Sequence, residues 1–392
     1  MMLLHEAVVD ALPNDGSAGA LAGRVWRPDL EGASVVAIRD EGVFDISGAY
    51  PTMRDLCEAQ DPAQALRHAD GAPIGRLEAM LANTPADRRD RAKPWFLAPI
   101  DLQAVKAAGV TFAISMLERV IEERARGDPA AAAAIRAEVR RLVGADLKRL
   151  KPGSAEAMAL KDVLVAQGAW SQYLEVGIGP DAEIFTKAAP MSAVGTGMDA
   201  GLHPKSTWNN PEPEIVLVVA STGGIVGATL GNDVNLRDFE GRSALLLGKA
   251  KDNNASCAIG PLLRFFDETF SLDDVRRTTV TLTVDGSDKF HLQDKSSIAE
   301  ISRDPEDLVR EMMGAHHQYP DGAVLFLGTM FAPIQDRRAP GQGFTHRIGD
   351  IVVVAAPPLG RLVNRMRFTH DCEPWTFGTG ALMRNLAKRG LI

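Results

Sequence analysis

The sequence predicts an α+β protein in which a smaller α/β region at the N-terminus precedes a larger, β-rich C-terminal domain. The chain has 392 residues, which is long for one ordinary domain and suits a large domain joined to a smaller one. Residues 51–166 look mostly helical, whereas β-branched runs with Pro and Gly turns dominate from about Asp181. We place the small domain at 1–95 and the large one at 96–392, with a boundary that the sequence limits only to residues 90–180.

The N-terminal region begins with three strand-like runs and continues into helices. The runs are RVWRP, SVVAIRD and GVFDISG, and the turn DEG joins the last two. PTMRDLCEAQ then opens with Pro51 at a helix start. An alanine-rich segment at 128–150 begins at the capping residue Asp128 and turns basic towards its C-terminal end, which suits the helix dipole. We therefore predict a helical insertion near residues 120–165 of the larger domain.

The C-terminal half is predicted to consist of strands joined by turns. Its longest apolar run, from Ile215 to Gly231, is split by Gly223 and Gly224, which predicts a buried β-hairpin. The run is shorter than the roughly 20 residues of a membrane-spanning helix, so we expect no membrane partner. Further predicted strands are TVTLTVDG, AVLFLGT and DIVVVAA, and the predicted helices are GRSALLLGKA and PEDLVREMMGA.

Composition and charge exclude some classes of partner. The formal net charge of −8 argues against nucleic acid, because proteins that bind a phosphate backbone concentrate Lys and Arg. The three cysteines form no CxxC pair, which favours free thiols in a reducing compartment. Glu6 and Asp10 lie where a signal peptide would be basic and then apolar. We expect a cytoplasmic protein.

Three acidic residues around the predicted hairpin form the strongest candidate site. Glu212 and Glu214 are two residues apart at the entry to a strand, so both carboxylates lie on one face. Asp233 follows on the returning strand, where it can meet them. Three carboxylates without soft ligands suit Mg²⁺ or Mn²⁺ and not zinc. On spacing alone, a solvated polar loop remains an equal alternative.

Five ordered segments between residues 183 and 364 resemble the fumarylacetoacetate hydrolase superfamily. The most specific is GNDVNLRD, which is similar to the family element G-N-D-V-[SN]-x-R-D. The others are FTKAAPMSAVGTG, GKAKDNNASCAIGP, AVLFLGTMFAP and IGDIVVVAAPPLGRLVN. The resemblance implies a mixed sheet rolled around the site in the C-terminal domain. It also implies a homodimer or homotetramer.

The resemblance implies roles for individual residues. In the family, a Glu-x-Glu pair and the Asp of the GNDV element bind the metal, which here correspond to Glu212, Glu214 and Asp233. Lys251 corresponds to the active-site lysine and Thr329 to a threonine that helps to hold the substrate. Lys187 and Arg237 match family positions near the site, and for each a structural ion pair is as well supported as a substrate contact.

One segment departs from the hydrolytic members. AGVTFAISMLER resembles their element N-Y-x-x-H-x-x-E, but Thr111 and Phe112 replace Asn-Tyr and Ser115 stands where the histidine would be. Glu118 is retained. A hydrolase needs a base that activates water, and the six histidines from His203 onward lie outside the motifs. Ser115 is thus a candidate substrate contact in a site without the expected base.

Three further segments resemble the branch of the family that dehydrates 2-keto-3-deoxy-pentonates. They are LAPIDLQAVKAAGVTF, TWNNPEPE and EPWTFGTGALMRNLAKRGLI. This resemblance implies a Mg²⁺-dependent hydro-lyase of sugar-acid catabolism that forms 2,5-dioxopentanoate. Lys251 would be the base, provided that its pKa is depressed. Glu118 or Glu183 would be the acid, although each also fits a structural carboxylate.

Two alternatives remain open at this point. The first is a hydrolase that cleaves a carbon–carbon bond of a 2,4-dioxo acid, which the replacement of histidine by Ser115 disfavours. The second is a non-catalytic protein that binds a 2-oxo acid. The acidic triad and Lys251 count against the second alternative, because a silent relative has no need of them.

Overall fold

A computed structural model describes residues 3–132, 135–136, 150–329, 331, 335–337 and 343–392. The α-helices within these residues are α1 (Leu4–Ala7), α2 (Met53–Cys57), α3 (Pro62–His68), α4 (Leu77–Ala82), α5 (Ala113–Arg124), α6 (Ala155–Ala166), α7 (Gln172–Ile178), α8 (Arg237–Glu240), α9 (Leu247–Lys251), α10 (Leu272–Arg277), α11 (Pro305–Met312) and α12 (Thr379–Lys388). The N-terminal strands are β1 (Leu21–Arg27), β2 (Gly32–Arg39), β3 (Gly42–Asp45), β4 (Ala72–Gly75), β5 (Trp95–Leu97) and β6 (Ala104–Gly109). The later strands are β7 (Glu183–Ala188), β8 (Asp199–Leu202), β9 (Pro213–Val219), β10 (Ile225–Asp233), β11 (Cys257–Phe265), β12 (Thr279–Asp285), β13 (His291–Ser297), β14 (Ala323–Phe326), β15 (Ile351–Ala356) and β16 (Gly360–Phe368).

The strands form two mixed sheets. The larger has 11 strands in the order β4-β3-β2-β1-β11-β10-β9-β14-β6-β7, with β5 paired to β1. The smaller has five strands in the order β13-β12-β15-β16-β8. Most pairs are antiparallel, and the parallel ones are β14 with β6 and β16 with β8. The mixed-sheet α+β fold that the sequence predicts is confirmed.

Two apolar layers cover the two faces of the large sheet, and β9 shows this most directly. Ile215, Leu217 and Val219 pack in a cluster with residues of the small sheet such as Leu282. Val216 and Val218 point the other way, into a second cluster below α2 and α3. Every residue of β9 is buried. A strand covered on both faces has a continuous apolar sequence, and β9 therefore anchors the residues at its start.

The predicted hairpin is confirmed. Strands β9 and β10 are antiparallel, with Leu230 opposite Ile215, and Gly223 adopts a left-handed φ of 87° in the turn. That backbone conformation is accessible to glycine without steric cost. The hairpin brings the acidic residue at the end of β10 next to the acidic pair at the start of β9.

The prediction of a mostly helical segment over residues 51–166 is wrong in part. Strands β4, β5 and β6 lie in it, and β6 is an inner strand of the large sheet. The sequence of β6, AVKAAG, has no strong strand preference, so its pairing with β14 and β7 overrides local propensity. The cap of α2 is Thr52, whose side chain accepts from the N–H of Asp55, and Pro51 precedes that cap. Of the helical insertion, α6 is seen, and most of residues 128–150 lies outside the described ranges.

The large sheet runs through both predicted domains. Strand β1 pairs with β11 at Leu21 and Ala22 and also with β5, so strands from residues 1–95 and 96–392 share one hydrogen-bonded ladder. The domain boundary itself stays a prediction. The three cysteines are free and buried. No helix among the described residues has the length and apolarity needed to cross a membrane.

Candidate metal centre and active site

The three predicted carboxylates converge where the hairpin of β9 and β10 ends. Glu212, Glu214 and Asp233 each offer an oxygen within 4.8 Å of the others, and all three are buried. The backbone explains this arrangement, because the N–H of Asp233 donates to the carbonyl of Glu212 at 3.0 Å. Residues opposite one another in an antiparallel pair project to the same face. The donor set is three hard oxygens, which Mg²⁺ and Mn²⁺ prefer.

Two lysines contact this acidic cluster from different sides. The Nζ atom of Lys251 bonds to Glu212 and lies 2.9 Å from Asp233 Oδ2. The Nζ atom of Lys187 lies 2.8 Å from Asp233 Oδ1 and donates to the carbonyl of Val234 at 3.1 Å. Both lysines are buried. The two ammonium groups offset the mutual repulsion of the carboxylates and fix their positions.

The pKa shifts in the cluster follow from burial and from these charges. Burial raises the pKa of Glu214 well above its ordinary value, and the charges of Asp233 and Glu212 add to the rise. Burial also acts to raise the pKa of Asp233, but Lys187 and Lys251 outweigh it and lower that pKa. Burial acts to lower the pKa of Lys251, but the surrounding carboxylates outweigh it and raise that pKa.

The raised pKa of Lys251 bears on its predicted role as the base. The sequence argument for Lys251 as a base requires a depressed pKa, and the contacts described here raise it. Lys251 is therefore held as an ammonium group that donates hydrogen bonds to Glu212 and Asp233. That condition of the prediction is not met in this structure.

A narrow cavity opens at the carboxylates of Glu212, Glu214 and Asp233, which together are called the metal face. Its wall includes the acidic triad together with the side chains of Lys251, Ser115, Glu183, Phe185, Arg119, Glu240 and Thr329. The free volume inside is about 30 Å³, which is room for one or two water molecules. A larger ligand requires the side chains of the wall to move apart.

Glu183 lies in this wall at the start of β7, opposite Gly109 of β6. A Cβ atom at Gly109 would lie 1.9 Å from Glu183 Oε2, so the carboxyl group occupies space that only glycine leaves free. Burial raises the pKa of Glu183 to about 7, and the charge of Glu240 contributes to the rise. A carboxyl group with this pKa can both take and give a proton near neutral pH.

Thr329 and Ser115 also line the cavity, as the sequence predicts. The backbone N–H of Gly328 donates to Glu214 Oε2 at 2.6 Å, so the Gly-Thr segment after β14 is tied to the metal face. The hydroxyl of Ser115 donates to the carbonyl of Phe112 at 2.9 Å. Thr329 and Ser115 thus add two hydroxyl-bearing residues to the cavity wall, and their roles stay predictions.

Three residues that the sequence predicts to act in the site take part in buried ion pairs and do not line the cavity. Both carboxylate oxygens of Glu118 accept from Arg136, at 2.9 and 2.6 Å. Arg237 donates to Glu122 at 2.6 Å, and its guanidinium lies 4.3 Å from the ring centre of Trp208. Lys187, the third, is fully buried behind Asp233. The geometry favours the ion-pair alternative for Arg237 and Lys187 and gives Glu118 no contact with the cavity.

Two wall residues were missed from the sequence. Arg119 bonds to Glu212 and to Glu122, the latter at 2.7 Å, and Glu240 lies 3.2 Å from Arg119. A signal for Arg119 exists in the four-residue spacing from Ser115, which places both on one face of α5. Glu240 sits one turn after Arg237 and carries no motif of its own.

A comparison of the sequence with protein-family models confirms the resemblance. Residues 180–367 match the model described as the C-terminal domain of fumarylacetoacetate (FAA) hydrolase. Over this range the chain is similar to the fumarylacetoacetate hydrolase family. The family domain contains the hairpin, the acidic triad and Lys251, and its match ends within β16.

Curated relatives extend the likeness beyond this domain. A protein of Haloferax volcanii named probable 2-keto-3-deoxyxylonate dehydratase is 27% identical over 332 residues, which are 84% of this chain and 94% of the relative. A 2-dehydro-3-deoxy-D-arabinonate dehydratase of Saccharolobus solfataricus is 29% identical over 188 residues, which are 47% of this chain and 58% of the relative.

Solved structures share the fold of this chain. A 2-keto-3-deoxy-D-arabinonate dehydratase complexed with magnesium and 2,5-dioxopentanoate has a TM-score of 0.62 at 19% identity, covering 89% of this chain and 99% of the other. A fumarylacetoacetate hydrolase from Exiguobacterium antarcticum has a TM-score of 0.53 at 15% identity, covering 89% of this chain and 100% of the other. At these identities the likeness shows the fold alone.

Proposed function

We propose that this chain is a Mg²⁺-dependent hydro-lyase that converts a 2-keto-3-deoxy-pentonate to 2,5-dioxopentanoate and water. The single observation that carries the proposal is the placement of Glu183, with a pKa of about 7, in the wall of a cavity that also holds three metal-binding carboxylates. The names of the two curated dehydratases and the bound product in the structural neighbour support the same reaction.

The residues present fit a magnesium ion. Glu212, Glu214 and Asp233 supply three oxygens within 4.8 Å of one another, with no soft ligand in this cluster of described residues. When bound, the ion acts as a Lewis acid towards the carboxylate and oxo oxygens of a 2-oxo acid, which makes the protons on C3 more acidic. Mn²⁺ fits the same donor set.

Glu183 supplies the proton transfer in this proposal. Its carboxylate takes a proton from C3 and delivers it to the hydroxyl on C4, which leaves as water. The product of this elimination is an unsaturated 2-oxo acid, and its tautomerisation gives the aldehyde at C5. Glu183 was predicted as one of two candidate acids, and the geometry favours it over Glu118 because only Glu183 reaches the cavity.

Lys251 has an electrostatic role in this scheme. Its ammonium group lies against Glu212 and Asp233, where it can donate to the oxygen that gains negative charge as C3 loses its proton. Thr329 and Ser115 offer hydroxyls to the substrate from the cavity wall. We infer that Lys251 stays protonated throughout, because the surrounding carboxylates raise its pKa.

The hydrolase alternative lacks a water-activating histidine in the cavity. Among the described residues, the wall contains no histidine, and Ser115 occupies the matching position on α5. The second alternative, a silent 2-oxo acid binding protein, does not explain a proton-transfer group with a pKa of about 7 beside the metal face. Elimination remains the reaction that uses the groups present.

Proton NMR with two substrates tests the proposal. Purified protein with Mg²⁺ is expected to produce an aldehyde signal from a 2-keto-3-deoxy-pentonate and to leave an acylpyruvate unchanged, with EDTA abolishing the signal. Cleavage of the acylpyruvate with the sugar acid intact would favour the hydrolase. Metal-dependent binding of both compounds without turnover would favour the binding protein. Glu214→Gln serves as a variant that lacks one of the three proposed metal ligands.

A further inference from the structure

Glu240 is a cavity-wall carboxylate that is neither one of the proposed metal ligands nor the proposed proton-transfer group. It lies at the end of α8, seven residues after Asp233, and only 4% of its surface is exposed. It is not part of the three-carboxylate group, yet it lines the same cavity as Glu183 and Lys251. A buried charged residue in a ligand cavity needs a partner that compensates for its desolvation.

One oxygen of Glu240 has an ion-pair partner but accepts no hydrogen bond. Its Oε2 atom is buried and accepts no hydrogen bond from the described residues. Arg119 Nη1 lies 3.2 Å away, but that group donates to Glu122 at 2.7 Å. An unbonded buried acceptor is costly, and an ionised carboxylate can only accept. A hydrogen bond to this oxygen would therefore come from an O–H or N–H donor that enters the cavity.

The positions of the other wall groups limit what that donor can be. The acidic triad takes the carboxylate and oxo end of a 2-oxo acid in the proposed function, and Glu183 serves the hydroxyl on C4. The next oxygen along a pentonate is the hydroxyl on C5. It is the remaining donor on that substrate, and an acylpyruvate has no counterpart to it.

From these contacts we propose that Glu240 is the specificity-determining residue that accepts a hydrogen bond from the terminal hydroxyl of the substrate. Arg119 holds the Glu240 side chain in place through the 3.2 Å ion pair. The cavity thus selects hydroxylated 2-oxo acids over those with an apolar tail. This inference rests on the proposed function, because it assumes that the oxo-acid end faces the acidic triad.

Binding of two unreactive acids to the Mg²⁺-loaded protein tests the inference by calorimetry. The probes are 5-hydroxy-2-oxopentanoate and 2-oxopentanoate, neither of which has a hydroxyl on C4 to lose. Ring closure of the hydroxy acid lowers its free concentration equally in every sample, so the ratio of the two Kd values is compared between proteins. In Glu240→Ala the preference for the hydroxy acid should fall on the order of tenfold, the worth of a hydrogen bond to a charged group.

The controls separate a hydroxyl contact from a general disturbance. Glu240→Gln keeps an acceptor without the charge and should lose part of the preference. Asp238→Asn changes a carboxylate two positions earlier in α8 that bonds to Ser206 and Thr207 outside the cavity, and it should leave the ratio unchanged. All three variants are checked for an unaltered affinity for Mg²⁺.

Two outcomes would overturn the inference. In one, Glu240→Ala weakens both acids equally, and in the other, the ratio is the same in every protein. The proposed function fails separately, if the wild-type protein shows the Glu240-dependent preference but never dehydrates the sugar acid. Conversely, turnover of the sugar acid with an unchanged ratio would retain the function and reject the role of Glu240.

Discussion

At the scale of single residues, the cavity contains acidic groups with different pKa values because their neighbours differ. Burial acts to raise the pKa of Asp233, Glu214 and Glu183, but Lys187 and Lys251 lower the pKa of Asp233, whereas neighbouring carboxylates add to the rise at Glu214 and Glu183. The result is that Asp233 stays ionised, as a metal ligand would need to be, while Glu183 exchanges its proton near pH 7. Such a separation of pKa values is typical of acid–base sites.

The pH dependence of Glu183 can be measured through both activity and stability. As a base it must be ionised, so kcat/KM should fall about tenfold per pH unit below about 7. Glu183→Gln should lower kcat/KM by a factor on the order of 10² to 10⁴. A flat profile across pH 7 in the wild-type protein would exclude Glu183 as the group that transfers the proton.

The same pKa predicts a stability effect in metal-free protein. Because the folded state holds the proton of Glu183 up to about pH 7 and the unfolded state releases it at lower pH, this group costs stability as pH rises between those values. Glu183→Gln should therefore melt above wild type at pH 8 in EDTA, and the difference should vanish at pH 4. A constant difference in Tm would contradict this assignment.

The convergence of the acidic triad can be predicted from local patterns, period two and a Gly-Gly turn, whereas its role as a metal site is implied by the family resemblance. Glu212 and Glu214 share a face whatever surrounds them. Arg119 and Glu240 reach the cavity only because α5 packs over α8. That packing depends on residues far apart in sequence, and no local pattern of the chain specifies it.

At the scale of secondary-structure elements, α5 carries a polar stripe towards the metal face. Ser115 and Arg119 line the cavity, while Glu118 and Glu122 pair with arginines behind it. Residues at this three- and four-residue spacing share one side of a helix. The retained Glu118 is thus a structural counter-ion of Arg136 and Arg237, which the sequence alone could not separate from an acid in the site.

The pairing of β6 with β7 gives a prediction at this scale. Gly109→Ala would place a methyl group 1.9 Å from Glu183 Oε2, so the carboxyl group must move. Displacement of a catalytic group by about 1 Å can lower the rate on the order of 10²-fold. The affinity for Mg²⁺, measured by calorimetry, should stay unchanged because the triad lies on other strands. Gly48→Ala is the matched control, since nothing lies within 4 Å of a Cβ there, and equal losses in both variants would contradict the prediction.

At the scale of the whole molecule, the buried like charges of the triad are expected to make the stability of the fold depend on metal. Mg²⁺ that binds only the folded state should stabilise it by about 2.7 kcal/mol at a hundredfold excess over Kd. The pKa of Glu214 is raised, so protons compete with the ion, and the increase in Tm should be larger at pH 8 than at pH 6. A differential scanning fluorimetry series in Mg²⁺ checks this, and Glu214→Gln should abolish most of the increase. A shift of equal size at both pH values would contradict the competition.

Some features of the whole fold follow from local sequence patterns, and others follow from pairing between segments that are far apart in the chain. The strands of the C-terminal half and the buried hairpin follow from runs of β-branched residues, and their prediction is confirmed, whereas the division into two sheets was not predicted. Strand β6 lies in the range predicted as mostly helical, because its alanine-rich sequence has no strong strand preference and its pairing with β14 and β7 decides its structure. The homo-oligomer stays a prediction, since it depends on contacts between copies of the chain and the structure contains a single copy.

The sheet shared by the two predicted domains also limits how such a chain can be rearranged. Strand β1 completes the pairing of β11 at Leu263 and Arg264, and Asp15 neutralises Arg264 through two bonds of 3.0 and 2.6 Å. An unrelated module fused in place of the first 95 residues would have to supply both a matching strand and a counter-charge. The N-terminal segment and the β9–β10 hairpin should therefore be inherited as one unit. Recombination between relatives should succeed only where β1 and β11 come from the same parent.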